Sequence, residues 1–163
     1  MKTTRRNYCS PLLSFDIYLD HFHKTIKQMK SKMDISEINR SVNTVISKSL
    51  ENRILNDQYD AIVITDKQQK IVWVSEGFYD MTGYSSSYAV GKQPTFLQGK
   101  DTQTSTKERI RVNLDNNNNF SASLINYKKN GEEYICQLKL FPLKDPDNNI
   151  THYLALERRL EAA

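Results

Sequence analysis

Phe120-Ser-Ala-Ser-Leu-Ile-Asn-Tyr127, Lys128-Lys-Asn-Gly131 and then Glu133-Tyr-Ile-Cys-Gln-Leu-Lys-Leu-Phe-Pro142 form the stretch whose reading decides the fold. In its second half, Tyr134, Cys136, Leu138 and Leu140 alternate with Ile135, Gln137 and Lys139. A period of two puts successive side chains on opposite faces of a strand. Lys-Lys-Asn-Gly between the two runs is a hairpin turn, because Asn and Gly tolerate positive φ. Downstream, Asp145–Asn149 makes another turn and Thr151–Arg158 a last strand. Upstream, Asp60–Asp66 and Ile71–Val74 flank the polar Lys67–Lys70 and read as a further hairpin. Between the two groups of strands, Gly77–Met81 and Ser85–Val90 fit short helices and Thr104–Asp115 a longer one, with Ile110 and Leu114 on one face. Asn116–Asn119 is too polar to pack and is expected as a loop. Two strands, a helical middle and three more strands predict an α+β fold, a five-stranded antiparallel sheet with helices on one face.

The period is helical before residue 58. Phe15, Leu19, Phe22, Ile26, Met29 and Met33 recur at alternating spacings of four and three, the pattern of a helix–helix seam. Asp34-Ile-Ser-Glu37 has the form of a capping box, so a second helix is expected to start there, with Ile35, Ile38, Val42, Val45 and Ile46 as its apolar face, continuing towards Ile54. The expected organisation is an extension of two amphipathic helices over 1–57, a domain over 58–160 and a tail over 161–163. The seam residues Phe15, Leu19, Phe22, Ile26 and Met29 are the candidates for dimerisation or for contact with a partner acting in trans. The outer sheet positions Ile135, Gln137, Leu154 and Leu156 are expected to meet these helices.

Of the 163 residues 38% are hydrophobic and 26% charged, a globular composition. No apolar run approaches the ~18 residues that span a bilayer, and the start of the chain has no apolar core of a secretory signal. Cys9 and Cys136, the two cysteines, imply no disulfide framework, so the cytoplasm is the expected compartment. Residues 1–58 hold ten Lys or Arg against six Asp or Glu, which is the whole net excess of +4. This basic bias reads as the solvated side of a helix, and no base-reading motif accompanies it. His21 and His23 sit two apart on a helix and share no face, so no metal site is expected. No nucleophile–base–orienter set and no phosphate-cradling glycine loop is visible; catalysis is not expected.

The order of elements, with four motifs, resembles the PAS family and most closely its flavin-binding LOV branch. Phe78-Tyr-Asp-Met-Thr-Gly-Tyr84, Gly91-Lys-Gln-Pro-Thr-Phe-Leu-Gln-Gly99, Asn126-Tyr-Lys-Lys-Asn-Gly131 and His152-Tyr-Leu-Ala-Leu-Glu157 carry the likeness over roughly 58–160. The resemblance implies a sensory domain whose cofactor is flavin mononucleotide (FMN), with Gln98 and Arg111 at its ribityl chain and phosphate and Asn126 at the edge of its ring. It also exposes departures. Pro94 stands where the branch has its adduct-forming cysteine, Thr95 where it has a phosphate-binding Arg, Cys136 where it has a second ring-binding Asn, and Glu157 where it has a Gln. Without a thiol at Pro94 the thioether adduct cannot form there.

The candidate pocket is therefore Pro94, Gln98, Arg111, Asn126, Cys136, Leu138 and Glu157, and the sequence itself names no ligand for it. Cys136 also reads as a small buried hydrophobe. A buried Glu157 needs a partner: a ligand amine, Arg111 across the site, or solvent at the strand end. The expected function is a non-catalytic sensory or relay domain without an output domain in the chain, acting through ligand- or partner-dependent contacts. A flavin photoreceptor or redox sensor working without the adduct, a ligand-free dimerisation module, and an enzyme using Cys136 and Glu157 are the other readings.

Overall fold

A computed structural model describes residues 11–42, 46–116 and 119–160, apart from the side chains of residues 11–15 and 115. Helices α1 (Pro11–Ser41) and α2 (Lys48–Asn56) come first, followed by strands β1 (Ala61–Asp66) and β2 (Ile71–Val74). Helices α3 (Gly77–Thr82) and α4 (Ser86–Ala89), a 3-10 turn (Pro94–Leu97) and helix α5 (Thr104–Asp115) form the middle. Strands β3 (Phe120–Tyr127), β4 (Glu133–Lys144) and β5 (Ile150–Leu160) complete a sheet of order β2-β1-β5-β4-β3, antiparallel throughout. The expected fold class holds, and Ile71–Val74, Thr104–Asp115 and Phe120–Tyr127 form the expected elements at the expected bounds.

Alternation along the strands divides the protein into two cores. Ala61, Val63, Leu124, Cys136, Leu138 and Ala155 face the middle helices and pack with Phe78, Met81, Ala89 and Leu97. Their neighbours one residue on, Ile62, Ile64, Phe141, Leu143, Leu154 and Leu156, face the other way and pack with Ile38, Val42, Ile46, Leu50 and Ile54 of the N-terminal extension. Each fully buried aliphatic side chain contributes roughly 1.5–3 kcal/mol, so the extension is held to the sheet of its own chain by several such anchors. Lys139 Nζ on β4 donates to Asp57 Oδ2 at 2.9 Å beside them.

Two expectations about the extension change. The helix does not restart at Asp34: α1 runs unbroken to Ser41, and the break comes later, where Ser47 caps α2 by accepting from the Leu50 amide. The physical reason is a tertiary partner. The Asp34 carboxylate, 5% exposed, accepts from the Tyr59 hydroxyl at 3.0 Å, and the Tyr59 oxygen also lies 2.9 Å from Ser31 Oγ, so the side chain that would cap a helix locally serves to dock one. Ile135 stays 39% exposed and Gln137 half-buried, so this end of β4 is not covered by the helices, whereas Leu154 and Leu156 are. Along the first part of α1, Phe22, Ile26, Met29 and Met33 remain about half exposed or more, and Leu19 is half-buried. Phe15 and Val45 lie outside the described side chains.

Candidate functional site

The motif residues turn out to be largely the framework of the site. In Phe78–Tyr84, Phe78 is fully buried, Thr82 Oγ1 donates to the Phe78 carbonyl and accepts from the Tyr84 amide, and Gly83 closes α3 at φ 75°, a left-handed conformation that glycine adopts without a Cβ penalty. In Phe96–Gly99, Leu97 is buried, and a Cβ on Gly99 would come within 2.3 Å of the Tyr127 ring, so only glycine lets the turn lie against β3. Thr102 ties the same turn to the sheet: Oγ1 accepts from the Gly99 amide at 3.0 Å and donates to the Ile125 carbonyl at 2.6 Å. Tyr84, Tyr88 and Phe96 stack into one aromatic cluster that joins α4 to the 3-10 turn.

This framework leaves a cavity of about 110 Å³ between the sheet and the middle helices. Pro94, Thr95 and Gln98 form one wall, Ile110 and Leu114 of α5 another, and the floor is the inner sheet face with Asn126, Leu138, Ala155 and Glu157. Of the seven candidate pocket residues, the structure brings together Pro94, Gln98, Asn126, Leu138 and Glu157. Arg111 does not join them. Ile110 and Leu114 turn inward from α5, and a residue one step along a helix points about 100° away, so Arg111 is exposed. Cys136 is fully buried in the same core but is packed away from the cavity wall. Val63, Thr65, Gln69 and Tyr153 also line the cavity. Sequence reasoning passed over them, although Val63 and Tyr153 have the inward parity of their strands. Gln69 carries no such signal: it sits in the β1–β2 turn at φ 61°.

Two polar atoms on this floor are buried without a hydrogen-bond partner: Asn126 Oδ1 and Glu157 Oε2. Both residues are 5% exposed. Glu157 sits in register between Ala61 on β1 and Leu138 on β4, two apolar neighbours. Burial there pushes its carboxyl up to about 7, and the Cys136 thiol, a weak donor beside it, lowers it slightly. The same burial, with Glu157 close by, drives the Cys136 thiol well above its ordinary range. A thiol held protonated in an apolar core is a poor nucleophile. Among the described residues no group of His, Cys, Asp and Glu has the arrangement of a metal site, and no helix is long and apolar enough to cross a membrane.

A two-plus-three antiparallel sheet with the middle helices on its inner face, closing on a cavity, has counterparts among known proteins. The PAS domain family matches residues 60–158. The chain belongs to the PAS domain family. Within it, the chain is 28% identical over 131 residues to Phototropin-1A of Oryza sativa subsp. japonica, covering 80% of this chain and 14% of that one. It is 32% identical over 109 residues to a blue-light photoreceptor of Listeria innocua, covering 65% of this chain and 43% of that one. The dark structure of the blue-light photoreceptor Aureochrome1 LOV superposes with a TM-score of 0.65 at 28% identity, covering 71% of this chain and 86% of that one. This PAS domain therefore resembles LOV domains in sequence and in structure, and it spans less than half the length of these curated relatives.

Proposed function

We propose that this PAS domain is a non-catalytic sensory module in which the state of the inner cavity is relayed through the sheet to the N-terminal helices. One observation carries the reading: the strands that floor the cavity are the strands on which α1 and α2 are docked. On β5, Ala155 and Glu157 line the cavity while Leu154 and Leu156 touch the helices; on β1, Val63 lines it while Ile62 and Ile64 touch them. A strand cannot twist or shift on one face without moving the other. A ligand that prefers one arrangement of the sheet thus biases the helix dock by its difference in affinity for the two arrangements. The exposed seam Phe22, Ile26, Met29 and Met33 supplies a surface for a second copy or a partner acting in trans.

FMN, the cofactor that the LOV likeness suggests, does not suit the residues present. The wall position is Pro94, which offers no thiol; Thr95 brings no charge for a phosphate, and Arg111 faces solvent away from the cavity. The volume of about 110 Å³ lies below the roughly 300 Å³ at which pockets for drug-sized ligands begin. These features favour a sensor of another, smaller ligand over a flavin receptor.

The test is hydrogen exchange on the intact chain, with the small molecules released from the native protein identified by mass spectrometry. The reading expects a cavity ligand to change protection in α2 and from Ile38 at the end of α1 to Val42 just beyond it, about 10 Å away across the sheet by ordinary packing distances. Protection changes confined to α5 and the 3-10 turn would sink it.

A further inference from the structure

The cavity floor has an unusual polar balance. Among the residues that line it, two buried side-chain atoms have no hydrogen-bond partner, Asn126 Oδ1 and Glu157 Oε2, and both are acceptors; Thr65, Gln69, Thr95, Gln98 and Tyr153 are the other polar groups around them. Burying an acceptor without a donor is costly, and burying a carboxylate is more so. The Cys136 thiol is only a weak donor to Glu157, and among the described residues neither a Lys nor an Arg lies on the cavity wall. What these two acceptors lack is a strong donor such as N–H.

Position and size narrow the ligand further. Asn126 lies opposite Tyr134, and Glu157 opposite Leu138, so along β4 the two acceptors are four register positions apart. They sit on β3 and β5 with β4 between them, hence at two ends of the floor and not side by side. About 110 Å³ is somewhat less than the ~150 Å³ engineered cavity that holds a benzene ring. The walls at Ile110, Leu114, Leu138 and Ala155 are apolar and suit a flat ring face.

We propose that the cavity takes a planar, single-ring nitrogen heteroaromatic carrying N–H donors at both ends, one meeting the Glu157 carboxylate and the other the Asn126 carbonyl. This rests on the cavity being the sensory input, and it replaces the phosphorylated three-ring flavin by a compact donor molecule. Glu157 is the specificity-determining position. A glutamine there could turn its amide to donate or to accept, whereas an ionised glutamate accepts only. A cationic N–H donor also keeps Glu157 ionised inside the apolar core, which stabilises donor and acceptor together.

The experiment titrates the full chain with 4-aminopyridine, with 4-methylpyridine and with FMN, by calorimetry and by thermal shift at neutral pH. 4-Aminopyridine is protonated at neutral pH and has N–H at both ends, whereas 4-methylpyridine has the same outline, is mostly unprotonated there and offers N–H at neither end. The expected order is 4-aminopyridine well ahead of both others. Glu157→Gln should weaken 4-aminopyridine by about tenfold to a hundredfold, the worth of a hydrogen bond to a charged group, and leave 4-methylpyridine almost unchanged. Asn126→Leu should weaken 4-aminopyridine in the same direction. Equal binding of the two pyridines, binding of neither, or a preference for FMN overturns the inference. The relay reading fails separately, when 4-aminopyridine binds at the cavity and protection in α1 and α2 does not move.

Discussion

Glu157→Gln should abolish a specific part of the protein's pH dependence. In the unfolded chain this carboxyl titrates near 4.5, and in the fold at about 7. Below pH 4.5 both states are protonated, and the group contributes no pH dependence. Between 4.5 and 7 the native state holds a proton that the unfolded state has lost, so stability falls as pH rises. Above 7 both are ionised and the loss is complete. The interval corresponds to about 3 kcal/mol, credible in size because the side chain is 5% exposed and little screened by solvent. The groups that face it are the Cys136 thiol, which lowers its titration slightly, and Tyr134, whose phenol is itself pushed up by burial; neither brings a positive charge. Glutamine has nearly the same shape and does not titrate. Its amide has a burial cost of its own, but one that is constant with pH. The observable is therefore the difference between variant and native chain, measured by calorimetric melts from pH 4.5 to 8.5. For a chain of this length about 3 kcal/mol corresponds to about 6–12 °C. The gap in favour of Glu157→Gln should open by that amount across the range, with its midpoint between 5 and 7. Parallel melting curves would show that the carboxylate finds a cation or water in solution, and the account of the cavity floor would be refuted.

Four further outcomes are expected. Tyr59→Phe removes the hydroxyl that serves Ser31 and Asp34 and leaves a largely buried carboxylate without its donor, so the dock of α1 should weaken by about 1–3 kcal/mol; exchange of the Ser31–Val42 amides reads this directly, and unchanged protection would contradict the latch. Gly99→Ala drives a methyl into the Tyr127 ring and should cost about 1–3 kcal/mol by overpacking in urea unfolding, with part of it restored by Tyr127→Leu. Cys136 should resist iodoacetamide in the folded protein and react on unfolding, because the thiol is buried and held protonated; stoichiometric labelling under native conditions would revive a nucleophilic role. Phe22→Asp and Ile26→Asp alter exposed positions and should leave the melting temperature within about 2 °C, as surface substitutions do, while reducing any self-association seen by analytical ultracentrifugation; an unaffected dimer would place its interface elsewhere.

The sheet was legible because its signal is local. Alternation in Tyr134, Cys136, Leu138 and Leu140 needs only the period of a strand, and the same parity assigns Leu154 and Leu156 to one face and Glu157 to the other. The turn at Lys128–Gly131 and the helix at Thr104–Asp115 follow from φ tolerance and apolar spacing in the same way. Sites built from several elements were legible only in part. Leu138 and Glu157 could be nominated from strand alternation, and Pro94, Gln98 and Asn126 from the resemblance of their motifs to the LOV branch. Arg111 was misplaced because likeness to a motif gives a position along the chain and not the rotation of the helix that carries it.

What the sequence by itself determined is thus the order of elements, the two faces of each strand and the absence of a thiol at Pro94. The tertiary structure alone decided three things. It kept α1 continuous through Asp34, since the Tyr59 hydroxyl, 25 residues away, donates to the carboxylate in place of the backbone amide that a helix cap would have bound. It covered the outer face of the sheet with the chain's own helices, since Ile38, Val42, Ile46, Leu50 and Ile54 reach that face only when the extension folds back. And it raised the carboxyl of Glu157, since the free energy of a charge depends on which groups surround it in space, and no local pattern records that Ala61 and Leu138 flank it where a cation could have stood.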